Sequence, residues 1–172
     1  AAGGTRTVTV APEAGSERMR LAINKGCTEE QILEGASLVG EAGLQRFKLY
    51  FMIGLPGEED DDVYAMAALG NRIKERLDRA GNGTRVVMSV SPTIPKPWTA
   101  YQYQVQADPA LIKRRQGILK QHLAPGVEMR SDSPLSVRTP TVQIAISTPT
   151  LCTISTARLS GPHNPTMSGS GR

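Results

Sequence analysis

The chain has 172 residues, of which 39% are hydrophobic but few aromatic, and 20 Lys and Arg stand against 16 Asp and Glu for a net charge of +4. That supplies one aliphatic core of ordinary domain size. No apolar run approaches the roughly 20 residues that span a bilayer, and Ala1 to Arg6 carries no charged start followed by an apolar stretch, so a cytoplasmic protein is expected, with neither a membrane helix nor a secretory leader.

The positive charge would fit nucleic-acid binding, but its distribution argues otherwise. All the acidic residues lie at or before Asp132, where the basic ones nearly balance them, and the excess comes from Arg138, Arg158 and Arg172 in an acid-free tail. No specific nucleic-acid partner is expected. Cys27 and Cys152 are far apart, with no CxxC spacing, so they read as plain thiols and build no metal site by themselves.

Thr7 to Val10 (TVTV) is β-branched and reads as a strand ending before Pro12. Ser16 then caps a helix with Glu17 in its first turn, Met19, Ala22 and Ile23 on one face, and Gly26 as its stop. Thr28 to Gln31 (TEEQ) is a capping box that opens a helix with Ile32, Ala36 and Val39 on one stripe, closed by Gly43. Phe47 to Ile53 (FKLYFMI) is the strongest strand in the chain.

Gly54-Leu55-Pro56-Gly57 is a turn by composition. The acidic run Glu58 to Asp62 leads into a helix with Val63, Met66, Ile73 and Leu77 at helical spacing, ended by Gly81-Asn82-Gly83. Arg85 to Val90 is a further strand, Ser91 to Gln106 a Pro-rich loop, and Asp108 to Leu123 a helix. Val127 to Met129 offers one more strand. Alternation of strands and helices implies an α/β fold with a parallel sheet, and the apolar strands fit a sheet buried on both faces. Residues 1–133 read as one domain. Residues 134–172, rich in Ser, Thr and Pro, read as a disordered or aberrant tail.

In parallel α/β folds ligands sit at the carboxyl ends of the strands, and four places qualify. Pro12 to Ser16 offers the Glu13 carboxylate, close backbone approach at Gly15 and donors at Ser16 and the helix amino end; the plain alternative is a helix cap. Gly54 to Glu58 offers two glycines beside a strand end, without the Gly-Lys-Ser/Thr of a phosphate loop, and would serve equally as a simple turn. Ser91-Pro92 opens the long loop carrying Lys96, Trp98 and Tyr101, whose length points to function, although such residues more often pin a loop. Lys25, near a helix carboxyl end where cations are favoured anyway, suits a ligand carboxylate. The acidic run resembles paired catalytic carboxylates, but negative charge at a helix amino end is its ordinary explanation. His122 and His163 have no partners in the sequence pattern.

The ordered segments APEAGSERMR, FMIGLPGE and SVSPTIPKPWT resemble the fourth, fifth and sixth βα units of radical S-adenosylmethionine (radical SAM) enzymes, over roughly Thr5 to Ser133 and closest to an uncharacterised subgroup with an amino-terminal cobalamin-binding domain. The resemblance implies a partial (β/α) TIM-like barrel with outer helices that binds S-adenosylmethionine at its strand ends. It places Glu13, Ser16 and Lys25 against the ribose and methionine part of the cofactor, Tyr50, Met52, Ile53 and Gly54 near ribose and adenine, and Ser91 and Pro92 beside adenine. It also implies a [4Fe–4S] cluster, held in that family by a CxxxCxxC loop that this chain lacks, and the rest of the barrel as partner. The expectation is therefore a carboxy-terminal barrel part that is inactive by itself and has an unpaired, aggregation-prone sheet edge. Cobalamin would enter through an upstream domain. A stand-alone α/β module for a nucleotide or phosphate ligand is the alternative, and a non-catalytic interaction protein using Thr93 to Gln106 is a third reading.

Overall fold

The structure is a computed structural model that describes residues 6–132. The expected tail, Cys152 and His163 lie outside the described residues. The elements run β1 (Thr7–Glu13), α1 (Glu17–Ala22), α2 (Glu29–Glu41), β2 (Arg46–Ile53), α3 (Asp60–Arg79), β3 (Arg85–Pro92), α4 (Pro109–His122) and β4 (Val127–Ser131).

The four strands form one parallel sheet in the order β1-β2-β3-β4. Every connection is therefore a crossover between neighbouring parallel strands. Such crossovers share one hand, so their helices stack on one face, as in a (β/α) barrel sector. The core lies between that face and the helices. Phe47, Leu49, Phe51 and Ile53 of β2 and Val86, Met88 and Val90 of β3 pack there with Ile32, Ala36 and Val39 of α2, Val63, Met66, Ile73 and Leu77 of α3, and Ile112 and Leu119 of α4.

The expectation of a sheet buried on both faces needs correction. Burial alternates along β2: Phe47, Leu49, Phe51 and Ile53 are buried, while Lys48 and Met52 are partly exposed and Tyr50 is exposed. FKLYFMI looked continuously apolar because Tyr50 and Met52 count as hydrophobic although they lie on the more exposed face of β2.

Local chemistry explains most boundaries. The Thr28 hydroxyl accepts the Gln31 N–H and the Gln31 side chain accepts the Thr28 N–H, which completes the capping box of α2. The Asp108 side chain caps α4 ahead of Pro109 at its first position. β1 runs three residues further than expected, through Pro12 to Glu13. Its pairing register to β2 shifts between Val10 and Glu13, and β1 lies at the sheet edge, where a residue without an N–H is tolerated. α1 is shorter than expected: it ends at Ala22, and Lys25 lies past the turn that follows it. No helix among the described residues is long and apolar enough to cross a membrane.

Candidate functional site

Glu13 ends β1 with φ of +67°, a left-handed conformation uncommon for a residue other than glycine. Strain of this kind persists where the surroundings enforce it. Its carboxylate lies 3.5 Å from the Lys25 ammonium, and both side chains keep about a quarter of their surface in solvent. Two residues twelve apart in sequence thus meet as an accessible pair of opposite charges at a strand carboxyl end.

Beside them lies a small apolar cluster separate from the main core. Ala14, Met19 and Leu55 are buried there, with Ile23 and Met52 packed against them. It joins the β1 end to the β2 end and brings Met52 next to the segment that holds Glu13.

The turn between Glu13 and α1 is held from several sides. Ser16 accepts the Met19 N–H as the helix cap and donates its own proton to Asp62. The Arg18 guanidinium bridges Asp62 and the Gly57 carbonyl. Arg20, fully buried, donates to the carbonyls of Ala14, Gly15 and Cys27. Gly15 is in close contact with α3: a Cβ there would stand 2.3 Å from the Asp62 carbonyl oxygen and 2.5 Å from the Met66 Cβ. The close approach that Gly15 permits is thus to another helix of the chain.

The second glycine turn follows β2. Gly54 has φ of +80°, and a Cβ on it would meet Ala107 at 2.9 Å, so its missing side chain admits the segment that leads into α4. The Gly54 N–H donates to the Glu58 carboxylate at 2.7 Å, and Arg115 of α4 grips the same residue through Oε2 at 2.8 Å and the Glu58 carbonyl at 2.7 Å. Burial pushes the Glu58 carboxyl up to about 7, against the lowering effect of the Gly54 N–H and Arg115. Asp60 takes a bidentate pair from Arg114 and a further bond from Arg115, and the Arg114 bond leads in holding its carboxyl below the usual value.

The remaining sequence candidates divide by face. Tyr50 is exposed on the open sheet face, whereas Ile53 is fully buried in the helix-side core and leaves only its backbone toward a ligand. Ser91 donates to Asp132 at 2.6 Å, and Pro92 is buried at the end of β3. Close by, the Thr93 hydroxyl is a buried polar atom with no partner among the described residues, which leaves a donor for a bound group. Trp98 stands apart, 95% exposed on its loop with φ of +65°. Lys96 and Tyr101 belong to the same loop, and the Tyr101 hydroxyl reaches the Ala22 carbonyl at 3.5 Å. A separate acidic groove along α2 and α3, lined by Glu17, Glu29, Glu30, Glu34 and Arg76 among others, includes none of the strand-end candidates. No group of three or more metal-ligating side chains occurs among the described residues.

Sequence reasoning missed Arg18, Arg20 and Arg115, and read Asp62 only as part of an acidic run at a helix start. The motif spacing marked Ser16 and Glu58 but not the partners that hold them, which come from other elements. The buried Arg20 gave one available signal, since its neighbours Met19 and Ile23 place position 20 close to the apolar face of α1.

The model of the radical SAM superfamily matches residues 1–70, the stretch from β1 through the first half of α3 that contains both glycine turns. This stretch is therefore similar to the radical SAM superfamily, whose fold is TIM-barrel-like. An uncharacterized protein of Methanocaldococcus jannaschii is 38% identical over 99 residues, which cover 58% of this chain and 21% of that protein. The chain therefore spans about one fifth of the length of this curated relative.

Proposed function

We propose that this chain forms the carboxy-terminal side of a radical SAM barrel and contributes part of the S-adenosylmethionine-binding face at the ends of β1, β2 and β3. The observation that carries this reading is the Glu13–Lys25 pair, 3.5 Å apart at the β1 carboxyl end, with Glu13 held at positive φ. A zwitterionic amino-acid group with a neighbouring ribose fits such a pair: Lys25 for the carboxylate, Glu13 for the ammonium or hydroxyls. The apolar patch around Met52, the Gly54 backbone and the unpartnered Thr93 hydroxyl are compatible with an adenine beside it.

The residues present do not fit a [4Fe–4S] cluster. That cluster takes Cys thiolates, the sequence has only Cys27 and Cys152, and Cys27 is buried. In this reading the chain acts as a binding face and depends on thiolates supplied from outside these residues. The cobalamin expectation concerns an additional domain and adds no residue to this site.

Isothermal titration of the full chain with S-adenosyl-L-methionine tests the reading. Saturable binding that is lost in Lys25→Ala and Glu13→Ala is the expected result. Binding of a nucleoside phosphate in its place, insensitive to Glu13, would favour the stand-alone nucleotide module.

A further inference from the structure

The acidic run Glu58 to Asp62 makes none of the ligand contacts proposed above, yet it holds the turns after β1 and β2. Asp62 is the member bonded to the turn that follows Glu13, and its side chain is only 5% exposed. It takes the Ser16 hydroxyl on one oxygen, and Arg18 and the Glu59 N–H on the other. Ser16 has no proton left for a ligand in consequence: its oxygen accepts the Met19 N–H and its single proton goes to Asp62.

We infer that Asp62 is a positioning residue for the proposed S-adenosylmethionine site, and that Ser16 serves the site through Asp62 instead of touching the ligand. The inference rests on the reading above. Its geometry is a chain of three contacts. Gly15 lies directly on the Asp62 backbone, Ser16 and Arg18 are tied to the Asp62 carboxylate, and Arg18 continues to the Gly57 carbonyl of the second glycine turn. Glu13 sits two residues before Gly15, in a conformation that its own side chain disfavours. With the turn clamped to the amino end of α3, the Glu13 carboxylate is held opposite Lys25; once the clamp is released, φ of Glu13 relaxes and the pair separates. A side chain acting only as a helix cap would take the Glu59 N–H and need neither Ser16 nor Arg18.

The test is a double-mutant cycle on the full chain, with S-adenosyl-L-methionine as the probe in titration calorimetry. Ser16→Ala and Asp62→Ala should each weaken binding about tenfold, the worth of one charge-assisted hydrogen bond, and the double variant should bind no worse than Asp62→Ala alone. Additive losses would overturn the inference. So would an unchanged dissociation constant in Asp62→Ala accompanied by a lower melting temperature, which is the signature of a cap. Should Asp62→Ala fail to fold, Asp62→Asn takes its place, because it keeps an acceptor for Ser16 and should fall between wild type and Ser16→Ala.

A wild-type chain that binds no S-adenosylmethionine would defeat the site reading and leave the clamp to a ligand-free measurement. Amide exchange of Met19, whose N–H is held by Ser16, should then accelerate in Asp62→Ala while the second half of α3 stays protected. Unchanged Met19 exchange would refute the clamp itself.

Discussion

Glu58 and Asp62 stand four residues apart in one acidic run, and each secures a glycine turn, yet their chemistry is opposite. Glu58 closes the turn after β2 from inside. Its side chain is 1% exposed and its partners are the Gly54 N–H and Arg115, itself only 7% exposed. Burial dominates there and raises its carboxyl to about 7. Asp62 closes the turn after β1 nearer the surface. Burial pushes its carboxyl up too, but the Ser16 hydroxyl, the Glu59 N–H and the half-exposed Arg18 outweigh it and hold it below the usual carboxylate value. The lesson is that a run of like residues at a helix start is not one feature. Each carboxylate takes its character from the element it faces.

The sharpest way to break this comparison is to remove the two arginines. Arg115→Ala leaves the Glu58 carboxylate buried without its cation and should destabilise the fold by about 3–5 kcal/mol at pH 8. Arg18→Ala removes a half-exposed partner and should cost under about 1 kcal/mol. Urea unfolding of both variants measures the contrast, and equal losses would erase it.

The glycines give the next contrast. Gly15→Ala drives a Cβ into the backbone of Asp62 and the side chain of Met66 and should cost about 3 kcal/mol through overpacking. Gly57→Ala meets nothing within 4 Å but must hold φ of +76°, for a cost of about 1 kcal/mol. Thermal melts of the pair that shifted equally would show that the β1 turn is not packed on α3 as described.

The pH dependence is the smallest effect. The folded-state carboxyl of Glu58 lies above its ordinary 4.5, so folded chains bind this proton more tightly than unfolded ones. Its contribution to stability is fully present below about pH 4.5 and is lost as pH rises through about 7. For Asp62 the sign is reversed: its contribution is present above its ordinary value of 3.8 and is lost as pH falls through the lowered one. Glu58→Gln should therefore remove a stability difference on the order of 2 kcal/mol between pH 4.5 and 8. Chemical denaturation across that range checks it, and parallel curves for wild type and variant would exclude Glu58 as the source.

Most of the fold was legible in the sequence, because it rests on local signals. TEEQ and Asp108-Pro109 mark helix starts through hydrogen bonds made within one turn, and both are found where expected. The order of strands and helices implied a parallel α/β sheet, which is present. The extent of β1 was misread because Pro12 ends strands in general but is tolerated at an edge beside a shift of register. The two-sided burial of β2 was misread because Tyr50 and Met52 are apolar by type, and type does not say which face a helix covers. Within the candidate site, the family resemblance grouped Glu13, Ser16 and Lys25. The structure brings Glu13 and Lys25 together and turns Ser16 toward Asp62.

Sequence alone determined what chains of neighbouring residues determine: the caps, the turns, the alternation of elements and the absence of three closely spaced cysteines. Tertiary structure alone decided which charges meet. Arg18 reaches Asp62 across 44 residues and Arg115 reaches Glu58 across 57, and Gly15 meets Asp62 and Met66 of α3, which lie far along the chain. The physical reason is that backbone hydrogen bonds within a turn span only a few residues, whereas the burial of a carboxylate, and with it the choice between raised and lowered proton affinity, depends on everything packed around it.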